Sequence, residues 1–249
     1  MDVRGLRRAL IGLSAALAVV VGTSANAAPV VGVTIDSADA ATGIANGHYA
    51  VDLETTANGD GSYGLSGLGY DTGFQCNWDL TVNPDPQITS TFTLMNLSPN
   101  PTNFTMTITL PIATIGPNTV RGGYYGDPVT GTTYTDTSGD ANVTLASVGA
   151  FYTALVNNVV SMSLGSFSQN ANGGAGIQGN LSQQSWGTPI PSAPFGAATG
   201  NMVIKWSFSL TGGDQVQTKG FFQVEAPEPS TVLLGLLALG GLALARKRA

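Results

Sequence analysis

The chain has 249 residues, of which 43% are hydrophobic and only 10% are charged, and its formal net charge is −6. Six of its nine basic residues lie among the first eight and the last four positions, so residues 28–226 carry 13 acidic but only three basic side chains. Nucleic-acid binding needs clustered basic charge to replace counterions, and this acidic body excludes it. A single histidine and a single cysteine exclude a multi-histidine metal centre, a structural zinc site and an intramolecular disulfide.

The N-terminus has the three parts of a secretory signal peptide. Three arginines within the first eight residues precede the apolar segment Ala9–Gly22, and a stretch of small residues follows. Ala25 and Ala27 supply the A-x-A pattern of a signal peptidase site, which places the cut after Ala27. Residues 1–27 are therefore predicted to be a signal peptide that passes through the Sec translocon, and a permanent N-terminal anchor is the alternative.

The body of the chain, residues 28–226, alternates apolar and polar side chains with a period of two. In Phe104–Leu110 the apolar residues share one parity and three threonines share the other. Successive side chains of a strand point to opposite faces, so such segments predict half-buried strands with a threonine-rich outer face. The predicted strands are 88–94, 104–110, 150–156, 159–164, 204–210 and 215–224, with weaker ones at 30–35, 48–55, 76–82 and 142–148.

Turns rich in Gly, Asn and Pro separate these strands, and no segment of the body has a sustained 3.6-residue apolar period. Many short strands with such turns indicate an all-β fold, an antiparallel sandwich or barrel, and the uneven strand spacing and long loops favour one β-sandwich domain over residues 28–226. The pair Asn157-Asn158 tolerates positive φ and predicts a tight hairpin turn. Gln169–Pro194 is poor in charge and rich in Gly, Asn, Gln and Pro, and predicts a long surface loop.

Few residues of the body are suited to catalysis, and we expect no catalytic residue, cofactor or metal. His48 has no Gly-x-Ser-x-Gly elbow to accompany it, which favours a surface histidine. Cys76 lies in a strand pattern and is expected to be buried, an intermolecular disulfide being the alternative. Asp52 and Glu54 would share one face of a strand, where paired carboxylates could hydrolyse a glycoside, although exposure to solvent is the default for charged residues.

Two kinds of binding site remain open. The segments Asn58–Ser62 and Asp136–Asp140 hold oxygen ligands in tight glycine turns, as calcium loops do, although ordinary β-turns explain both. A carbohydrate site would need exposed aromatic rings beside hydrogen-bonding groups. Trp78 and Trp206 lie in strand patterns and are expected in the core, whereas the Tyr124-Tyr125 pair lies between glycines and is expected in a loop. The candidate platforms are Tyr63, Tyr70, Trp78, Tyr124, Tyr125, Tyr134 and Trp186.

The last 23 residues form a third segment. Val232–Ala245 holds only Val, Leu, Gly and Ala, and a helix of these 14 residues would span about 21 Å, short of a hydrocarbon core of about 30 Å. The basic residues Arg246, Lys247 and Arg248 would reach the head groups and stay cytoplasmic, leaving the upstream chain outside. The segment is therefore predicted to be a transmembrane helix, and a buried core helix is the alternative.

Pro227-Glu228-Pro229, the short apolar helix and the terminal basic cluster together resemble the PEP-CTERM sorting signal of exosortase substrates. The resemblance implies recognition by a membrane-embedded exosortase, with a cut near Pro227-Glu228-Pro229 and loss of the tail. It also implies a Gram-negative bacterium that makes exopolysaccharide. The two prolines hold the motif extended and remove two backbone donors, as an accessible cleavage site requires.

We therefore expect an exported protein that passes through the inner membrane and then resides at the cell surface or is secreted. Its body is predicted to be a non-catalytic component of the surface or the extracellular matrix. A carbohydrate-binding module for the producer's exopolysaccharide is the alternative, and an exposed row of aromatic rings would favour it. An extracellular hydrolase, the third hypothesis, requires two carboxylates about 5 to 9.5 Å apart in a cleft.

Overall fold

The computed structural model describes residues 28–83, 86–125, 132–187 and 193–225, and in these ranges the chain forms strands and no helix. The all-β prediction is therefore confirmed, while the predicted signal peptide and C-terminal helix lie outside the described residues. The strands are β1 (Val30–Asp39), β2 (Ala45–Glu54), β3 (Thr56–Ala57), β4 (Tyr63–Asp71), β5 (Phe74–Asn83), β6 (Gln87–Asn96), β7 (Thr102–Tyr125), β8 (Thr132–Thr135), β9 (Asn142–Val156), β10 (Val159–Leu164), β11 (Ser168–Asn172), β12 (Gln178–Leu181), β13 (Gln184–Trp186), β14 (Ala193–Leu210) and β15 (Gln215–Glu225).

The predicted alternation sets the two faces of the strands. In β6, Ile88 and Phe92 are buried, while the threonines between them lie on the outer, half-exposed face. β5 and β15 follow the same pattern, and the registers align their outer faces, since Asp79 pairs with Thr91 and Thr91 with Lys219. A flat polar face thus covers one side of an apolar layer, as antiparallel sheets allow.

The described strands all belong to one antiparallel hydrogen-bonded sheet, and β7 and β14 form its central ribbon. The first half of β7 pairs with β1 over residues 102–109, whereas its second half pairs with β15 over residues 119–125. β14 follows β7 on both sides of this bend, with register shifts between Phe195 and Gly200. Irregular pairing of this kind bends a strand, so the ribbon crosses from one layer to the other and joins them.

Two layers face each other across the core. One contains β2, β1, the first half of β7, the second half of β14, β9 and β10, and the other contains β4, β5, β6, β15 and the second half of β7. The ring centroids of Phe92 in β6 and Trp206 in β14 are 5.2 Å apart, and those of Phe74 in β5 and Phe104 in β7 are 6.2 Å apart. Trp78 and Trp206 are both buried, as the sequence predicts.

The registers place both ends of the described chain at the same end of the molecule. β1 runs from Val30 to Asp39, and β14 ends at Leu210. Asp39 and Leu210 both pair with Thr102 of β7, so these two strands end at the same place. A turn then leads into β15, which runs back to Glu225. Val30 and Glu225 therefore mark one end, named the terminal end. The opposite end, named the network end, holds the turns at 40–44, 97–101, 136–141 and 211–214.

The predicted surface loop Gln169–Pro194 is wrong in part, because three short strands lie in it or at its border. β11 pairs with β9, β12 with β8 and β13 with β7. These strands are polar and mostly exposed, so no apolar alternation marks them in the sequence. Their backbones are ordered by pairing with distant strands. Residues 188–192 of the predicted loop lie outside the described residues.

β4 is a strand that the sequence did not predict, because its three glycines lower its β-propensity. A Cβ atom on Gly67 would lie 2.2 Å from the ring of Trp78, so the absence of a side chain makes room for that core residue. The predicted hairpin turn between β9 and β10 is confirmed, since Asn157 and Asn158 have φ values of 54° and 63°.

Candidate functional site

The residues predicted for sorting and processing lie outside the described ranges. The structure does describe the strand that leads to them. Arg121 approaches Glu225, the last residue of β15, to 3.5 Å and donates from Nε to Gln223 at 2.8 Å. The chain therefore leaves the sheet at the terminal end from a strand with ordered side chains. The undescribed site residues are Ala25, Ala27, Pro227, Glu228, Pro229, Arg246, Lys247 and Arg248.

A cleft of about 520 Å³ opens near the terminal end, between the end of β2 and the outer face of β4 and β5. Ser66 pairs with Asp79 and Gly64 pairs with Thr81, so these four residues share that outer face. Most of the lining carries hydroxyl, amide or carboxylate groups, which are the groups that bind polyhydroxylated ligands. The lining residues are Leu53, Glu54, Thr56, Asn58, Gly64, Leu65, Ser66, Asp79 and Thr81.

The cleft brings together two carboxylates that sequence reasoning did not pair. Glu54 and Asp79 both line it. Asp52 shares the exposed face of β2 with Glu54, as the sequence predicts, but it is not among the lining residues. The alternation of β5 predicts that Asp79 lies on its outer face. The cleft is also lined by residues of β4, a strand that the sequence did not predict. Both carboxylates of the cleft are exposed to solvent.

The loop beside the cleft, Asn58–Ser62, is held by its own side chains. The carboxylate of Asp60 accepts hydrogen bonds from the backbone N–H of Ser62 at 2.9 Å and from its hydroxyl at 2.6 Å. These two bonds lower the pKa of Asp60, the hydroxyl contributing most. The Asn58 amide donates to the Ser62 hydroxyl at 3.0 Å. Ordinary turn contacts thus account for the first of the two candidate calcium loops.

The second candidate loop, Asp136–Asp140, is a turn around a buried carboxylate. Asp136 is only 2% exposed and accepts four hydrogen bonds within 3.1 Å. Burial opposes its ionisation, but together these bonds lower the pKa of Asp136. Both carboxylate oxygens of Asp136, which a cation would need as ligands, therefore already accept hydrogen bonds. In the described ranges no group of three or more His, Cys, Asp or Glu residues could hold a metal ion. The donors are the Ser138 hydroxyl and the backbone N–H groups of Gly139, Ala141 and Gly176.

Two further buried polar residues complete the network end, and sequence reasoning missed both. Asp214 accepts a hydrogen bond from the Thr211 hydroxyl and longer ones from the backbone N–H groups of Thr137 and Ser138. Burial, supported by the charge of Asp136, raises the pKa of Asp214. The fully buried Asn96 amide donates to three carbonyl oxygens, each at 3.0 Å, those of Asn100, Leu210 and Thr211. The sequence predicts turns here but not their burial.

The candidate aromatic platforms do not form a row in the described part of the chain. The Tyr124-Tyr125 pair lies in β7 and not in a loop, and the ring of Tyr124 is buried because it packs among core rings. Tyr134 is also buried, and Tyr63 is half-buried. Tyr70 and Trp186 are exposed by 71% and 37%, but they lie on separate strands, β4 and β13. The ring of Tyr125 is outside the described part.

His48 and Cys76 have structural surroundings. His48 lies exposed on β2, where its Nδ1 is 2.6 Å from a carboxylate oxygen of Asp36 and its backbone N–H donates to Asp71 at 2.8 Å. This environment agrees with a surface histidine. Cys76 is fully buried, and burial raises the pKa of its thiol to about 12. The buried cysteine is therefore confirmed, and an intermolecular disulfide would require the sheet to open.

The segment that follows β15 connects the chain to known proteins. The family model of the PEP-CTERM protein-sorting motif matches residues 225–249, so the motif begins at the last residue of β15. No curated protein matches the chain. In the described ranges no helix is long and apolar enough to cross a membrane. The matched motif marks an exported protein that is targeted to exosortase. The chain is therefore a protein that carries a C-terminal PEP-CTERM sorting motif, as its Pro-Glu-Pro segment, apolar run and basic cluster predict.

Proposed function

We propose that this protein is a non-catalytic component of the cell surface or extracellular matrix of a Gram-negative bacterium. Its signal peptide is removed after Ala27, and its C-terminal helix holds it briefly in the inner membrane. Exosortase then cuts near Pro227-Glu228-Pro229 and releases a β-sandwich from the tail. The observation that carries this proposal is the position of the sorting motif, which begins where β15 ends.

The geometry of the terminal end supports this order of events. Pro227 follows Glu225 by two residues, and an extended chain covers about 7 Å over that distance. The cut would therefore fall next to the folded body and leave almost no tail on the product. Val30 lies at the same end, so both targeting segments leave the body in one direction. The network end would point away from the membrane.

Replacement of Pro227-Glu228-Pro229 by three alanines tests the sorting step in a host that supplies exosortase. We expect the full-length form to accumulate in the membrane fraction because the enzyme no longer finds its extended motif. The chain offers a matched control in Pro84-Asp85-Pro86, a second Pro-acid-Pro segment that lies between β5 and β6. Its replacement by three alanines should leave processing intact. Equal processing of both variants would refute the assignment of the motif.

The polar cleft favours binding of the producer's exopolysaccharide as a second candidate function. Its lining supplies hydrogen-bonding groups, although no aromatic ring lies among the residues that line it. The processed protein should then co-sediment with the polysaccharide, and Ser66→Ala with Asp79→Asn should reduce the bound fraction. Thr107→Ala, on the outer face of the other layer, serves as control. Full binding by the cleft variant would remove this candidate without affecting the sorting proposal.

A further inference from the structure

Among the described strands of six or more residues, β2, β4 and β10 have an open edge. β2 pairs only with β1, and β10 pairs only with β9. β4 pairs with β5 along its whole length, but its other edge meets β3 only at Tyr63 and Gly64. From Leu65 to Asp71 that edge has no ladder partner among the described residues, although β2 of the other layer lies beside it and donates from the His48 backbone N–H to Asp71. Open edges present backbone donors and acceptors that can pair with another strand.

β2 and β10 carry features that protect an edge, and β4 does not. β2 holds the charged residues Asp52 and Glu54, and charge disfavours pairing with a further strand. β10 has only six residues and a register shift between Val160 and Met162. The register of β4 is continuous, and it contains neither proline nor a charged side chain before Asp71. β4 is thus the edge best suited to receive a further strand.

The surface beside the β4 edge has a matching character. Leu68 and Tyr70 are exposed by 50% and 71%, and with Ser66 they share the outer face of β4. A strand added at this edge would place its own side chains next to these three residues. Cross-strand contacts between apolar and aromatic side chains stabilise strand pairing. An added strand would bury the side chains of Leu68 and Tyr70, which are now exposed to solvent.

We propose that the β4 edge pairs antiparallel with the β4 edge of a second copy of this chain. Identical edges are self-complementary about a two-fold axis, and with the axis at Leu68 that residue faces its copy while Tyr70 lies opposite Ser66. Charge also favours this arrangement. Residues 28–226 carry 13 acidic and three basic side chains, so two copies repel over most of their surfaces, whereas the edge from Leu65 to Tyr70 is uncharged.

The pairing fixes how two copies can be oriented relative to a membrane, and this consequence rests on the proposed function. β4 runs from the terminal end at Tyr63 towards the network end at Asp71. In an antiparallel pair, the terminal end of one copy therefore lies beside the network end of the other. Two copies held by their tails in one membrane cannot adopt this arrangement. Pairing would join released copies, or copies on facing membranes, and so would follow processing.

Cysteine trapping tests the pairing itself, independently of processing, in the full-length chain extracted into detergent, where the tails no longer hold the copies in one membrane. The edge is short, so the association is expected to be weak and reversible and is best captured covalently. Cys76 is the only native cysteine and is buried, so a thiol introduced at an exposed site is the only reactive one. The variants are Leu68→Cys alone and an equimolar mixture of Ser66→Cys with Tyr70→Cys, because the proposed register places residue 66 opposite residue 70 of the other copy. Val160→Cys, 55% exposed on the edge strand β10, is the matched control.

Mild oxidation followed by non-reducing electrophoresis should give a covalent dimer from Leu68→Cys and from the mixture of Ser66→Cys with Tyr70→Cys, and none from Val160→Cys. Adding Leu68→Lys to both members of the mixture should abolish its dimer, because two lysines would meet across the axis. Thiol titration checks the fold, since each variant should show one reactive thiol when native and two when denatured. Folded β4 variants without a dimer, or an equal dimer yield from Val160→Cys, would overturn the proposal, whatever the outcome of the sorting test.

Discussion

The network end and the terminal end use similar residues in opposite ways. Each has an aspartate in a glycine-containing turn, Asp136 at one end and Asp60 near the other, and each has an asparagine that bonds across its turn. Asp136 and Asn96 are buried, whereas Asp60 and Asn58 are exposed beside an open cleft. Buried polar side chains in such turns stabilise the fold, whereas the exposed ones are accessible to a ligand.

The largest expected effect separates the two asparagines. Asn96→Ala removes a buried amide that donates to three carbonyl oxygens, and unpaired buried acceptors should lower the free energy of unfolding by about 2–4 kcal/mol. Asn58→Ala removes an exposed amide, for which about 0.5 kcal/mol or less is expected. Urea denaturation followed by tryptophan fluorescence measures both. Equal losses for the two variants would contradict the distinction between the ends.

The next effect concerns the charge of Asp136. Asp136→Asn places an amide group among four donors, so we expect a clear loss of stability at pH 7. Because the pKa of Asp136 is lowered in the folded state, its carboxylate stabilises the fold at any pH above its unfolded pKa of about 3.9. That contribution disappears as the pH falls through the folded pKa. Melting temperatures of parent and variant should therefore converge in acid, and a constant difference would argue against a charge effect.

Asp214 should behave in the opposite way although it lies in the same network. Its pKa is raised in the folded state, so its contribution is complete below about pH 3.9 and is lost as the pH rises through the folded value. Asn at this position can still accept from the two backbone N–H groups and can donate to the Thr211 hydroxyl. Asp214→Asn should therefore be at least as stable as the parent at pH 7. A loss as large as that of Asp136→Asn would show that the negative charge itself is needed.

The same contrast explains how far the sequence predicts this molecule. Period-two alternation identifies β5, β6 and β15 because each has one buried face and one face towards solvent. It misses β4, whose glycines accommodate core rings such as Trp78, and the polar edge strands β11 to β13, which depend on distant partners. The sorting motif is local in sequence and was predicted with its family. The cleft joins Glu54 to Asp79 through the unpredicted strand, so no local pattern could identify it.

The smallest expected effect lies in the cleft. Glu54→Gln and Asp79→Asn change exposed carboxylates that line an open surface, so each should alter the free energy of unfolding by about 0.5 kcal/mol or less. The double variant should unfold at nearly the parent's urea midpoint. If the cleft binds polysaccharide, the same variant should co-sediment less, since charged acceptors that bind sugar hydroxyls are removed. Binding lost without loss of stability would assign the cleft a binding role that is separate from the stability of the fold, unlike the buried amide of Asn96 at the network end, whose removal should cost stability.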